Sequence, residues 1–420
     1  MRLANYEFAE TLDKKEWLNS MKMKVGLNYF GGKSVIGKYI FNNIFNLSVE
    51  MKKQGRKPDI FIDAFTGGGK MGLSVPYGWY DTIVMNDLNY GIYSYYKCCQ
   101  SDDYIALIYM IEKIGKLMSR DFFHVAAYLR SFGLNVDKWG DGTEFVTEDE
   151  VQEPLVAAAL TYWVTAGSFN GQTDPDSLTY NLTRIIKKDD KEFDDKKMEQ
   201  EEIAKVIKRA YKNIPKIHEQ LNKQHYIIEN LDYRELIKKY NGKKYSDLQG
   251  VEYEPEEQFI GKNILWYFDP PYHPVCLHGG KDAPYADAFT EKLSNEMTDI
   301  LHGDREGEFG KLEYFIKSDY DPKEALQRAE AAVKLGDDCK ESQLSWYQKL
   351  LEREKNNKEI STLFAKLEIY PFCKVCVGGF DKGAVLGKDK ETRKSIGQEY
   401  IWCRGFFKGY EEIEGEPAKE

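Results

Sequence analysis

The chain has 420 residues, of which 42% are hydrophobic and 14% aromatic, so it is not wholly disordered and can bury the core of one large domain or of two to three ordinary ones. The formal net charge of −10 excludes a uniformly basic coat for nucleic acids but leaves room for a local basic face. No run approaches the ~18–20 apolar residues of a membrane helix, and the seven cysteines, an odd number, do not suggest a disulfide framework. We therefore expect a soluble, cytoplasmic protein that makes no membrane contact.

Residues 24–92 form the first predicted unit and alternate between strand and helix patterns. The expected elements are a helix over Val35–Leu47, a strand over Asp59–Asp63 and a strand over Thr82–Met85. The first strand runs into a glycine turn, Phe65-Thr66-Gly67-Gly68-Gly69, and the second is closed by Asn86-Asp87. Short apolar strands separated by glycine turns and helices predict an α/β fold with a parallel sheet.

Residues 93–224 have few strand signals and are predicted to form a mostly helical insertion. The strip Ile203–Lys244, which begins in this insertion, contains eleven Lys or Arg residues against four Asp or Glu residues. An ordinary solvated helix face could have this composition, but in an otherwise acidic chain the local excess favours contact with phosphates. The candidate phosphate-contacting residues are Lys205, Lys208, Arg209 and Lys212.

Residues 225–410 are predicted to complete the sheet, followed by an acidic tail over 411–420. The expected strands are Tyr226–Ile228, Ile264–Phe268, Leu312–Ile316, Tyr370–Val377 and Glu399–Cys403. A highly charged, helix-prone segment at about 322–358 is typical of a surface insertion. Cys373 and Cys376 have the spacing of zinc ligands but lack a second pair, so we interpret them as buried structural thiols and expect no metal site.

The glycine turn and Asp87 suggest a nucleotide-like ligand. Glycines at the end of a strand let a ligand approach the backbone, although a plain tight turn would look the same. An acid at the end of the next strand can accept both hydroxyls of a ribose, and Asp87 follows Gly67 by twenty residues. This spacing suits a dinucleotide and an adenosyl cofactor equally. Lys70 follows the glycines, but the spacing of a phosphate-binding loop is absent.

Asp269-Pro270-Pro271-Tyr272 is the most specific motif in the chain, and it follows an apolar strand. It is therefore expected at the carboxyl edge of the sheet, where open α/β folds place their chemistry. The two prolines fix the backbone and remove two N–H donors. A carboxylate and a rigid carbonyl can then hold a planar amino group, and Tyr272 offers a flat face on which a base can stack.

The order of these motifs resembles that of the Dam-type DNA adenine methyltransferases. The matching segments are Tyr29-Phe30-Gly31-Gly32-Lys33, the glycine turn, Asn86-Asp87, Asn230-Leu231-Asp232-Tyr233, Asp269-Pro270-Pro271-Tyr272 and Ser318-Asp319. The resemblance covers roughly residues 24–89 and 226–406. The chain departs from the family pattern at Asp63, where the family often has Glu, and at Lys70, where small or apolar residues are usual.

The resemblance implies a Rossmann-like, seven-stranded S-adenosylmethionine-dependent methyltransferase sheet with a largely helical target-recognition insertion. It implies that Asp269, Pro270, Pro271 and Tyr272 hold a flipped adenine in double-stranded DNA. It further implies that S-adenosylmethionine is held by Tyr29, Lys33, Phe65, Gly67, Gly69, Asp87 and Asp232. A restriction endonuclease is a candidate partner. The alternatives are methylation of RNA adenine, methylation of cytosine N4 in DNA, and a catalytically silent nucleic-acid-binding subunit.

Overall fold

A computed structural model describes residues 26–29, 37–131, 153–168, 171, 180, 182, 195–271, 291–320, 369–378 and 396–404. The strands are β1 (Ile60–Asp63), β2 (Thr82–Asn86), β3 (His225–Glu229), β4 (Tyr245–Ser246), β5 (Glu252–Tyr253), β6 (Ile264–Phe268), β7 (Phe315–Tyr320), β8 (Ile369–Gly378) and β9 (Ile396–Arg404). The helices are α1 (Gly37–Lys53), α2 (Lys70–Ser74), α3 (Tyr90–Gln100), α4 (Tyr104–Leu117), α5 (Arg120–Ser131), α6 (Pro154–Gly167), α7 (Asp195–Asn222), α8 (Tyr233–Tyr240), α9 (Glu291–His302) and α10 (Glu306–Phe309).

The main sheet has the strand order β3-β2-β1-β6-β7-β9-β8. The first five strands in this order are parallel, whereas β9 is antiparallel to both β7 and β8. The predicted α/β class with a parallel sheet is thereby confirmed, and it is compatible with a Rossmann-like fold. The strands are near-continuous apolar runs because both faces of a parallel sheet are covered.

Two apolar clusters cover the two faces of the sheet. Phe61, Ile83 and Tyr267 belong to the first cluster, together with residues of α1 and α3–α7. Ile62, Val84 and their neighbours belong to the second cluster, together with residues of α8, α9 and α10. Successive residues of a strand therefore alternate between the clusters, as the two-residue period of a strand requires. The result is a three-layer arrangement of helices, sheet and helices.

The helix α6 lies inside the first cluster, and ten of its residues are buried. A helix that is apolar on all sides is expected in an interior. Its two large polar aromatics find backbone partners, because the Trp163 Nε1–H donates to the Ile111 carbonyl at 2.8 Å and the Tyr162 hydroxyl donates to the Val206 carbonyl at 3.0 Å. Among the described helices, none is both long and apolar enough to cross a membrane.

Most predicted elements agree with the structure to within one or two residues, and three differ by more. The last strand, β9, begins at Ile396, three residues before the predicted Glu399. The predicted helix at 35–47 is placed at 37–53, so it continues beyond the predicted end. The strand predicted at 312–316 was wrong in position, because β7 covers Phe315–Tyr320. Lys317 and Ser318 are buried in this strand even though they are polar, which shifts it past the apolar run. The segment 322–358 and the tail 411–420 lie outside the described residues, as does the segment 132–152 of the insertion.

Candidate functional site

The polar segments predicted from the sequence come together at one edge of the sheet. In the parallel register, Asp63 of β1 is paired with Met85 of β2 on one side and with Tyr267 of β6 on the other. Residues that follow these strands therefore emerge side by side at the carboxyl edge. Chemistry in open α/β folds is found at this edge.

Asn86 ties the ends of three neighbouring strands together. Its buried side chain donates to the carbonyls of Ala64 at 3.1 Å and Leu231 at 3.0 Å, and it accepts from the Leu231 N–H at 3.0 Å. Asn230 adds to this network by donating to the carbonyls of Asp87 and Leu88 at 2.8 and 3.0 Å. Sequence reasoning did not foresee that Asn86 fixes the site, because its partners are distant in sequence.

The glycine turn is tightly packed against aromatic side chains. Gly67 and Gly69 have φ angles of 45° and 68°, a region that strongly favours glycine. A Cβ atom at Gly67 would lie 2.9 Å from Cδ1 of Tyr29, and one at Gly69 would overlap the hydroxyl of Tyr96. Tyr29 therefore lies against the turn, as expected for a residue of the same site. Both glycines are therefore required by the backbone conformation and by the packing of the turn, whether or not a ligand binds there.

Asp87 is hydrogen-bonded to the glycine turn across the strand ends. Its Oδ2 accepts the Gly67 N–H at 2.7 Å, and its Oδ1 accepts the Asn89 N–H at 2.9 Å. Asp87 is half-buried, so part of its surface stays accessible to a ligand. The structure therefore brings the predicted residues Tyr29, Gly67 and Asp87 into one cluster.

Asp63 is a buried acid at this edge with a strongly raised pKa. Its side chain is 1% exposed, its Oδ2 accepts the Gly72 N–H at 2.9 Å, and its Oδ1 has no hydrogen-bond partner among the described residues. Burial, which is the largest cause, and the charges of Asp269 and Asp87 together raise its pKa to about 8, against the lowering effect of the Gly72 hydrogen bond. The sequence distinguishes Asp63 only as a departure from the family pattern and does not indicate its raised pKa.

Asp269 and the two prolines stand directly after β6, next to β1. Pro270 is buried, whereas Asp269 and Pro271 are half-buried, and the charge of Asp269 acts on the buried carboxyl of Asp63. The structure thus places three of the four residues of the motif at the predicted edge. Tyr272 and Lys33 lie outside the described residues, so their predicted roles stay predictions.

Asp232 follows β3 and has protein partners of its own. It caps the N-terminus of α8 by accepting the Arg234 N–H at 2.9 Å, and it pairs with the Arg234 guanidinium through a 2.7 Å contact to Nε. Arg234 also pairs with Glu296 at 3.2 Å. Beside this network the rings of Phe65 and Tyr233 are in contact, with centroids 5.9 Å apart. A ligand that hydrogen-bonds to Asp232 would therefore share this carboxylate with Arg234.

The predicted DNA-binding residues lie on the solvent side of α7. Lys205, Lys208, Arg209 and Lys212 are all exposed, although Lys205 already pairs with Glu202 at 2.7 Å. The helix that carries them packs against α6, since the Val206 carbonyl accepts a hydrogen bond from the Tyr162 hydroxyl at 3.0 Å. In the described part of the chain, no group of His, Cys, Asp and Glu side chains could hold a metal ion.

No family model matches this sequence, and no curated protein matches it either. The fold and the site therefore define only the general class, an α/β protein with a parallel sheet and an acidic, glycine-containing site at its carboxyl edge.

Proposed function

We propose that this protein is a DNA adenine-N6 methyltransferase that uses S-adenosylmethionine. The main support is the juxtaposition of two sets of residues at neighbouring strand ends. The turn at Gly67 is bonded to Asp87 on one side, and Asp269 with its two prolines stands on the other. A site of this kind can bring a cofactor and a second substrate together, and positioning of two reactants is a large source of rate enhancement.

The residues present suit the proposed cofactor. Asp87 is a partly accessible acid at the end of β2, where an acid can accept ribose hydroxyls, and three carboxyl groups near one sheet edge favour a ligand of net positive charge. We propose that Tyr29, Lys33, Phe65, Gly67, Gly69, Asp87 and Asp232 hold it. When bound, S-adenosylmethionine supplies an electrophilic methyl group.

Asp269 and Pro270 are proposed to act on the amino group of the target base. The Asp269 carboxylate and the Pro270 carbonyl each accept one N–H of a flipped adenine, so the nitrogen lone pair is drawn out of conjugation and held in line for attack. The bond to the methyl carbon forms as the carbon–sulfur bond breaks. The cationic amine then loses a proton to water. Tyr272 stacks on the base, and the basic face of α7 contacts DNA phosphates.

The test is transfer of a labelled methyl group to unmethylated duplex DNA and to RNA, followed by mass spectrometry of the nucleosides. We expect N6-methyladenine in DNA, and we expect Asp269→Ala to reduce the rate by ~10²–10³, by analogy with the loss of one oxyanion-hole donor. Asp304→Ala, an exposed acid on a loop, is the matched control and should be fully active.

The other outcomes distinguish the alternatives. Label found only in RNA, or as N4-methylcytosine, would replace the proposed substrate with one of the alternatives. Tight binding of cofactor and DNA without any transfer would indicate the silent subunit.

A further inference from the structure

The carboxyl group of Asp63 is buried at the end of β1 without a complete set of hydrogen bonds. One oxygen accepts the Gly72 N–H, and the other has no partner among the described residues. An ionised carboxylate in such a position is expensive unless a cation or further donors stabilise it. The free protein therefore favours the neutral acid at this position.

The titratable side chains around Asp63 further favour its neutral form. Asp87 after β2 and Asp269 after β6 are both acids, and each disfavours a negative charge on Asp63. Tyr96 on α3 stays neutral, since burial raises the pKa of its hydroxyl well above the ordinary value. Lys70, at the start of α2, has a pKa that burial lowers. No basic side chain in the described ranges offsets the cost of ionising Asp63.

We propose that Asp63 is a specificity-determining residue that distinguishes the positively charged sulfonium cofactor from its neutral thioether product. This inference rests on the proposed function. Asp63 is protonated in the free protein and in the product complex. When the sulfonium binds near the three acids, Asp63 loses its proton to water, and the resulting carboxylate attracts the positive sulfur.

The consequence is that the release of one proton on binding depends on the charge of the ligand. A cation that gains one carboxylate partner binds more tightly as the pH rises, by at most about tenfold per pH unit for one linked proton. The neutral thioether has no positive charge that stabilises the ionised carboxylate of Asp63. Its affinity therefore does not rise with pH in this way. The sulfonium makes the ammonium of S-adenosylmethionine more acidic than that of the thioether, but at pH 7 both ammonium groups are mostly protonated, so their contributions to proton release nearly cancel in a comparison. Product would then be released more readily than cofactor.

Isothermal titration calorimetry of the full chain tests this directly, using S-adenosylmethionine and S-adenosylhomocysteine in two buffers of different ionisation enthalpy. At pH 7 we expect the wild type to release on the order of one more proton for the sulfonium ligand than for the thioether. Asp63→Asn should abolish the difference, because an amide cannot titrate. Asp59→Asn, at an acid directly before the amino end of the same strand, should preserve it.

Equal proton release for the two ligands in the wild type would overturn the role of Asp63, and so would a difference that persists in Asp63→Asn. If that variant does not fold, the comparison of the two ligands in the wild type still decides the question. Binding of neither ligand would refute the proposed function and this inference with it, whereas binding of both with equal proton release refutes the inference alone.

Discussion

Replacing Asp63 with asparagine should make the stability of the protein less dependent on pH. Burial and two neighbouring acids raise the pKa of Asp63 from an ordinary 3.8 to about 8. Between roughly pH 4 and pH 8 the folded state therefore holds a proton that the unfolded state has lost, and the free energy of unfolding decreases as the pH rises. The asparagine variant keeps an acceptor for the Gly72 N–H but has no proton to hold.

The expected size of the stability change follows from the width of this pH range. Each pH unit changes the free energy of unfolding by about 1.4 kcal/mol, so the step from pH 5 to pH 8 lowers wild-type stability by at most about 4 kcal/mol relative to the variant. For 420 residues the unfolding entropy is about 0.9 kcal/mol/K, so this difference corresponds to about 4 °C in melting temperature. Any fixed cost of the new amide group cancels, because only the change with pH is compared.

The assay is thermal unfolding of the wild type, Asp63→Asn and Asp59→Asn across this pH range. Wild type and Asp59→Asn should lose stability together as the pH rises, while Asp63→Asn should lose less. Parallel curves for all three proteins would show that the Asp63 carboxyl is not held in its neutral form, and the electrostatic reasoning would be refuted.

Three further predictions concern packing and the basic face. Asn86→Ala should lower the free energy of unfolding by about 3 kcal/mol in urea titrations, because it leaves buried backbone groups of the adjoining strands without partners; a loss below 1 kcal/mol would contradict its role. Gly69→Ala should destabilise the protein more than Gly55→Ala, since both glycines have positive φ but only the former lies against Tyr96, and equal melting temperatures would argue against that packing. Replacing basic residues of α7 with glutamine should flatten the salt dependence of DNA binding by about one slope unit per lost contact, whereas Lys262→Gln at the amino edge should not change it; an unchanged slope would restore the solvated-face interpretation. The three α7 replacements are Lys208→Gln, Arg209→Gln and Lys212→Gln.

The strands that could be predicted from the sequence are those whose burial on both faces requires an apolar composition. β1, β2, β3 and β6 lie within one or two residues of their predicted positions, because a strand covered on both faces must be an apolar run. β7 was misplaced because Lys317 and Ser318 are buried in spite of being polar. Their burial depends on neighbours such as Tyr267, whose hydroxyl lies 3.1 Å from the Ser318 hydroxyl, and a single sequence does not report such neighbours.

The candidate site was predictable in its location but not in its internal bonding. Residues at the ends of parallel strands must share an edge, so the proximity of Asp87 and Asp269 to β1 followed from the strand assignments. The pairing of Asp232 with Arg234 depends on side-chain placement and local polarity, and so does the lack of a partner among the described residues for one oxygen of Asp63. Neither has a signature in residue spacing.

The shared core of the sheet and the helices from 93 to 222 limits how the chain can be recombined. Trp163 and Val206 lie in the same apolar cluster as Phe61 of β1, so this segment is not a detachable cassette. A chimera that exchanges all of 93–224 for the corresponding region of another protein would replace most of the helices on this face of the sheet and would have to rebuild their contacts with the strands and with α1. Grafts that retain α3 to α7 keep the described helices of that face and their contacts with the sheet. They are the more promising route to a protein with altered binding preference.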